Sequence, residues 1–150
     1  MLRITKLADY GVMLMSYMAD KEHRLYKASD IAQDLHLPLP TVSKLLKKLT
    51  QTKVVESVRG MHGGYKLARS AANISVQDVI QSLEGPIALT ECSLASSQCE
   101  QLKVCQVQSN WQRINQAVHN ALKDVSLADM AKDDLRLNMH IEQAPTGKKT

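Results

Sequence analysis

Three cysteines carry the strongest chemical signal in this 150-residue chain: Cys92, Cys99 and Cys105, spaced C-x6-C-x5-C. All fall within 14 residues, and the rest of the chain holds none. A chain that used cysteine as a small core residue would scatter it. The intervening stretches, SLASSQ and EQLKV, are mostly polar, as a loop wrapped around something would be. Three readings are open. The thiols are inert or redox-active, although a lasting disulfide is disfavoured in a reducing compartment. They bind zinc, which prefers four ligands and often shorter gaps. Or they bind an iron–sulfur cluster, which thiolates hold well at variable spacing. The spacing favours the cluster of the three. Three thiolates leave one coordination position for a weaker ligand, and that lability suits sensing. Asp9, Gln108, His119 or a residue of a partner chain are the candidates.

A second signal is charge. The net is +4, unevenly spread. Residues 1–70 hold 12 Lys/Arg against 6 Asp/Glu, and residues 71–150 hold 7 against 9. No acidic residue lies between Asp34 and Glu56, whereas Lys44, Lys47, Lys48 and Lys53 all do. Such a face either is simply solvated or meets a polyanion.

The elements that must position these residues read as follows. Residues 5–20 place Leu7, Tyr10, Leu14, Tyr17 and Met18 at helical spacing, with Thr5 as a cap. Ser29 is expected to cap a short helix from Asp30 to His36, which Leu37-Pro38 ends. Pro40 suits the first turn of a third helix running to about Thr50. Its Val42, Leu45, Leu46 and Leu49 face inward. Thr41, Ser43, Lys44, Lys47 and Lys48 are left outside. Val54–Arg59 and Tyr65–Leu67 read as strands about a glycine-rich turn. A helix-turn-helix followed by such a hairpin is a winged helix.

In that arrangement Thr41, Ser43 and Lys44 stand where a recognition helix meets base edges. Lys47 and Lys48 are placed for phosphates. Arg59 enters the wing turn and His62 lies near its tip, where a cation reaches a narrow minor groove. Ser75 to Asp78 is a helix-start pattern, and Gly85-Pro86 ends that helix. From Val107 to Met130, Trp111, Ile114, Val118, Leu122 and Val125 recur every three or four residues. That stripe is too long for the small domain to cover, so a dimerisation helix is expected.

Aromatic residues are one Trp, four Tyr and no Phe, so the core must be aliphatic. No apolar run approaches the ~20 residues of a membrane span. The N-terminus lacks an apolar signal region, and the chain reads as cytoplasmic. No nucleotide-binding loop, nucleophile with a placed base or pair of carboxylates points to an enzyme. A cluster or zinc carrier that meets only proteins would not need the lysine-bearing helix or the wing arginine.

Taken together, ITKLADYG, PTVSKLLKKL, SVRGMHGGYKLAR, ISVQDVIQSLEGPIAL, the three cysteines, NWQRI and SLADM resemble the winged-helix iron–sulfur regulators typified by IscR and NsrR. LPLPTVSKLLK, LTEC and NWQRIN look most like the SUF-system regulators of iron–sulfur assembly. The resemblance implies a mainly α fold with a small β-hairpin. A winged helix-turn-helix domain spans 1–85, a cluster-binding loop 86–106, a dimerisation helix 107–130 and a disordered tail 131–150. It also implies a cytoplasmic homodimer on a roughly palindromic double-stranded operator, acting as a redox-sensing repressor or activator whose cluster gates DNA affinity.

By position, the resemblance makes Cys92, Cys99 and Cys105 the cluster ligands. Thr41, Ser43 and Lys44 become groove-facing residues, and Arg59 the wing arginine. Two departures from the IscR pattern stand out. The first cysteine gap is one residue longer, and Gln108 replaces the histidine ligand. Asp9 falls where the NsrR type has an aspartate that reaches the partner's cluster. This favours 4Fe-4S over 2Fe-2S.

Overall fold

The computed structural model describes residues 3–21, 23–94, 99–101 and 103–132. Helix α1 spans Lys6–Ala19, α2 Ala28–Asp34 and α3 Leu39–Gln51. Strands β1 (Val55–Val58) and β2 (Gly64–Leu67) pair antiparallel, with Val55 opposite Leu67 and Val58 opposite Gly64. Helix α4 spans Val76–Glu84 and α5 Gln108–Asp124. A last helix, α6, occupies 127–132. The fold is mainly helical with one two-stranded hairpin: a winged helix.

Local rules explain most starts. The Thr5 hydroxyl accepts from the Ala8 N–H and opens α1. Ser75 and Asp78 close a reciprocal capping box at α4. Ser29 does not cap α2, contrary to expectation. The helix begins at Ala28, because the Lys27 carbonyl already accepts from the Asp30 and Ile31 N–H groups. Just before it, Tyr26 exchanges two 2.8 Å backbone bonds with Tyr65, giving the wing a third pairing. Tyr26 also stacks edge-on to Tyr17, 5.3 Å between centroids. The Tyr17 hydroxyl donates to Asp34, tying α1 to α2; that bond, with burial, pushes its pKa up to about 12.

One aliphatic core runs through the unit. Leu14, Met15, Leu45, Leu46 and Leu49 are fully buried between α1 and α3, and Val79 and Leu83 close it from α4. Gly11 lets α1 and α4 approach: a Cβ there would lie 2.1 Å from Leu83 Cδ1. Gly11→Val is therefore expected to cost about 1–3 kcal/mol through overpacking. The check is the urea midpoint, which should fall at constant slope.

The expected helix from Val107 to Met130 is two helices. It breaks at Val125, whose carbonyl accepts from the Val76 N–H at 2.9 Å. Ser126 then forms a second capping box with Asp129, whose carboxyl those bonds hold below its usual pKa. The predicted tail begins inside α6, and its residues 133–150 lie outside the described residues. Among the described residues no helix is long and apolar enough to cross a membrane.

Candidate nucleic-acid interface and cysteine loop

Helix α3 packs on α2 through a turn in which His36 takes a φ of 54°. Its apolar stripe is buried, and the opposite side projects Ser43, Lys44 and Lys47 into solvent. Thr41 is half-buried at the margin of the stripe. Among the described residues, Lys44, Lys47 and Arg59 form no ion pair, whereas Lys66 is paired with Glu56 at 3.4 Å across the hairpin. The basic face therefore keeps its cations open to a ligand. Arg59 and His62 are exposed on the wing.

Lys48 is set apart from this group. Its Nζ turns inward and donates to the Leu83 carbonyl at 2.7 Å. Two apolar residues are exposed on the same helix and on the wing. Leu39 is 48% exposed at the start of α3, and Met61 is 87% exposed at the wing tip. An exposed apolar side chain at a major-groove helix start matches a thymine methyl. Sequence periodicity gave no reason to single out either. The sole signal was an apolar residue amid turn residues.

The cysteine segment leaves the C-terminus of α4 and returns at α5. Cys92 sits in a short 3₁₀ turn, Glu91–Ser93, with its Sγ 3.1 Å from the Thr90 hydroxyl. Cys92, Cys99 and Cys105 are all half-buried. Two side chains one turn apart on α5 pin the start of the loop. Asn115, only 8% exposed, accepts from the Leu89 N–H at 3.0 Å. His119 Nε2 donates to the Ile87 carbonyl at 2.7 Å. His119 is thereby engaged with the loop backbone through Nε2. Gln108 opens α5, half-buried.

Soft thiolates on one loop fit an iron–sulfur cluster by donor chemistry. Among the described residues, no three His, Cys, Asp or Glu side chains already gather as a cage. Asp9 lines a groove of about 520 Å³ along α1, with Met13, Tyr17, Leu35 and Met130. No cysteine lines that groove.

The α5 stripe divides. Val118 and Leu122 turn inward over a cleft of about 400 Å³ shared with Ala8, Ile80 and Leu89. Trp111 and Ile114 stay 40% and 46% exposed.

A winged helix with an unpaired basic recognition face is the architecture of a DNA-binding regulator. The Rrf2 family, described as an iron-dependent transcriptional regulator, matches residues 4–133. Protein rrf2 of Nitratidesulfovibrio vulgaris is 30% identical over 133 residues, 88% of this chain and 89% of that protein. CymR (YrzC), the global cysteine regulator of B. subtilis, superposes with a TM-score of 0.70 at 31% identity, covering 88% of this chain and 98% of that one. IscR of T. potens superposes with a TM-score of 0.69 at 28% identity, covering 97% and 94%. The chain belongs to the Rrf2 family of transcription regulators, and it is not an enzyme.

Proposed function

We propose that this regulator is a homodimer whose affinity for a roughly palindromic DNA operator is gated by an iron–sulfur cluster on Cys92, Cys99 and Cys105. Residues 1–85 bind DNA, 86–106 hold the cluster and 107–130 make the dimer. The observation that carries the reading is the placement of the three half-buried thiols. They lie on one loop between the carbonyl end of α4 and the start of α5, so they adjoin both units. A bound cluster supplies a cross-link among three thiolates that oxidation or loss undoes. The chain's own residues do the rest. Asn115 and His119 hold the loop to α5, so loosening the loop alters how the two recognition helices are spaced. Coupling follows only if the tied loop favours one dimer geometry.

Asp9 is exposed on α1 and suits a ligand to the partner's cluster. That set favours 4Fe-4S over 2Fe-2S. The SUF-like motifs LPLPTVSKLLK and NWQRIN point to genes of iron–sulfur assembly or stress. A second reading, a cluster-free thiol sensor of the same fold, draws on the half-buried thiols and on the likeness to a cysteine regulator.

The deciding experiment is anaerobic purification with native mass spectrometry and a visible spectrum. DNA binding is then measured with and without the cluster, on a duplex selected from a random library. A coloured dimer with cluster-dependent affinity supports the gating. Equal affinity in both forms removes it. A colourless, metal-free dimer whose binding responds to thiol oxidation selects the second reading.

On the DNA side, Arg59→Ala is expected to lose about 1–3 kcal/mol of discrimination between selected and random duplex. Lys47→Ala should weaken both alike, and lower the salt slope by about 0.9 for each phosphate no longer neutralised. Equal loss on both duplexes from Arg59→Ala would remove readout at that residue.

A further inference from the structure

The lysine run of α3 has one member that does not face outward. Lys48 is half-buried, and its ammonium donates to the Leu83 carbonyl, 2.7 Å away and 35 residues on in the chain. Leu83 lies in the last turn of α4, where helix carbonyls lack intrahelical partners and carry partial negative charge. A cation there makes a charge-assisted bond. Beside it, the Thr5 hydroxyl donates to Glu84 Oε1 at 2.6 Å, so the same turn is also held to the start of α1.

Immediately after this turn the chain changes direction. Gly85 takes a φ of +85°, and Pro86 follows. The segment 87–89 is then held by α5, through His119 to the Ile87 carbonyl and Asn115 to the Leu89 N–H. The cleft of about 400 Å³ lies under this bend, lined by Thr5, Ile80, Glu84, Pro86, Val118 and Leu122. The bend has room to move on one side and polar ties on both ends. Cys92 follows three residues after Leu89.

We propose that Lys48 is a positioning residue rather than a phosphate contact: it ties the recognition helix to the α4 turn from which the cysteine loop departs, so that the state of that loop is felt by α3. The coupling part rests on the cluster-gated reading above; the placement of Lys48 does not. Lys47, one residue earlier and exposed, is the internal comparison. Both are lysines on the same helix, and only their surroundings differ.

The test uses the full-length protein and the variants Lys48→Gln, Lys48→Arg and Lys47→Gln. Three readouts separate the roles. The first is the salt dependence of binding to a random-sequence duplex of about three helical turns. Lys47→Gln should lower the slope by about 0.9 per phosphate left without its lysine, and Lys48→Gln should leave it unchanged. The second is amide hydrogen exchange over residues 83–89. Lys48→Gln should speed it severalfold, and Lys48→Arg should restore it. The third is the ratio of selected-duplex affinities with and without cluster. Lys48→Gln should bring that ratio toward one, while Lys47→Gln preserves it.

A slope decrease in Lys48→Gln equal to that of Lys47→Gln, or unchanged exchange at 83–89, overturns the placement. A wild-type ratio above one that Lys48→Gln leaves intact overturns the coupling. A wild-type ratio of one overturns the gated reading and the coupling together, while slope and exchange still decide where Lys48 acts.

Discussion

Cys99→Ala protein, purified anaerobically beside wild type, is expected to be colourless and to bind the selected duplex with one affinity under all redox conditions. Two thiolates remain, from loop positions 13 residues apart, and no third sulfur ligand exists elsewhere in the chain among its cysteines. Each thiolate removed is a soft, anionic ligand that oxygen and nitrogen donors replace poorly. Wild type should show a ratio between its two states of about 5–150-fold, the usual range of an allosteric coupling. The variant should abolish it. Because Cys99 is half-buried in a loop, fold stability should change little, and a thermal melt checks that directly. Asp9→Ala refines the result. If Asp9 of the partner subunit completes the site, that variant loses its 4Fe-4S mass while all cysteines remain. Retention of the full cluster mass would move the fourth ligand elsewhere. Retained colour in Cys99→Ala would remove this cysteine from the ligand set.

Ile114→Glu is expected to convert the proposed dimer to a monomer and remove most operator affinity. Trp111 and Ile114 remain exposed on the same side of α5, one turn apart, although Val118 and Leu122 of that stripe turn into the chain's own cleft. Across a two-fold axis each substitution counts twice. Central apolar interface residues are often worth about 2 kcal/mol or more each, so two copies raise the dissociation constant by about 10³-fold. The added carboxylates would also be desolvated without partners. Sedimentation velocity across a concentration series reads the change. A half-exposed position should not disturb the monomer fold, so an unchanged far-ultraviolet spectrum keeps the result interpretable. A variant that stays dimeric would place the interface on another face.

Much of this is legible in the sequence because it depends on neighbours in the chain. Thr5 and Ser75 open their helices through residues three positions on, and Asp78 completes the box at the second. The apolar period of α3 predicts its buried stripe, and the glycine-rich run after Arg59 predicts the wing. The same pattern, Ser126 to Asp129, also starts a helix. It is obscured because the apolar spacing continues through Val125 in register with α5. The pairing of residues 125–127 with residues 74–76 shows that the chain has turned. Ser29 fails as a cap for a related reason. The start of α2 is set by the Tyr26–Tyr65 pairing just before it, which a local rule does not contain.

The amino-acid order alone determined the winged helix, the basic face and the clustering of three thiols, since caps, periodicity and spacing act over a few residues. Tertiary structure decided which of those residues share a task. Lys47 and Lys48 are adjacent and chemically identical, yet one meets water and the other a carbonyl 35 residues away. Asn115 and His119 look like polar positions of an exposed helix until Leu89 and Ile87, 26 and 32 residues earlier, come to rest against them. The physical reason is common to these cases. A buried polar group must find a partner, and the partner it finds is fixed by how helices pack rather than by what lies next in the chain.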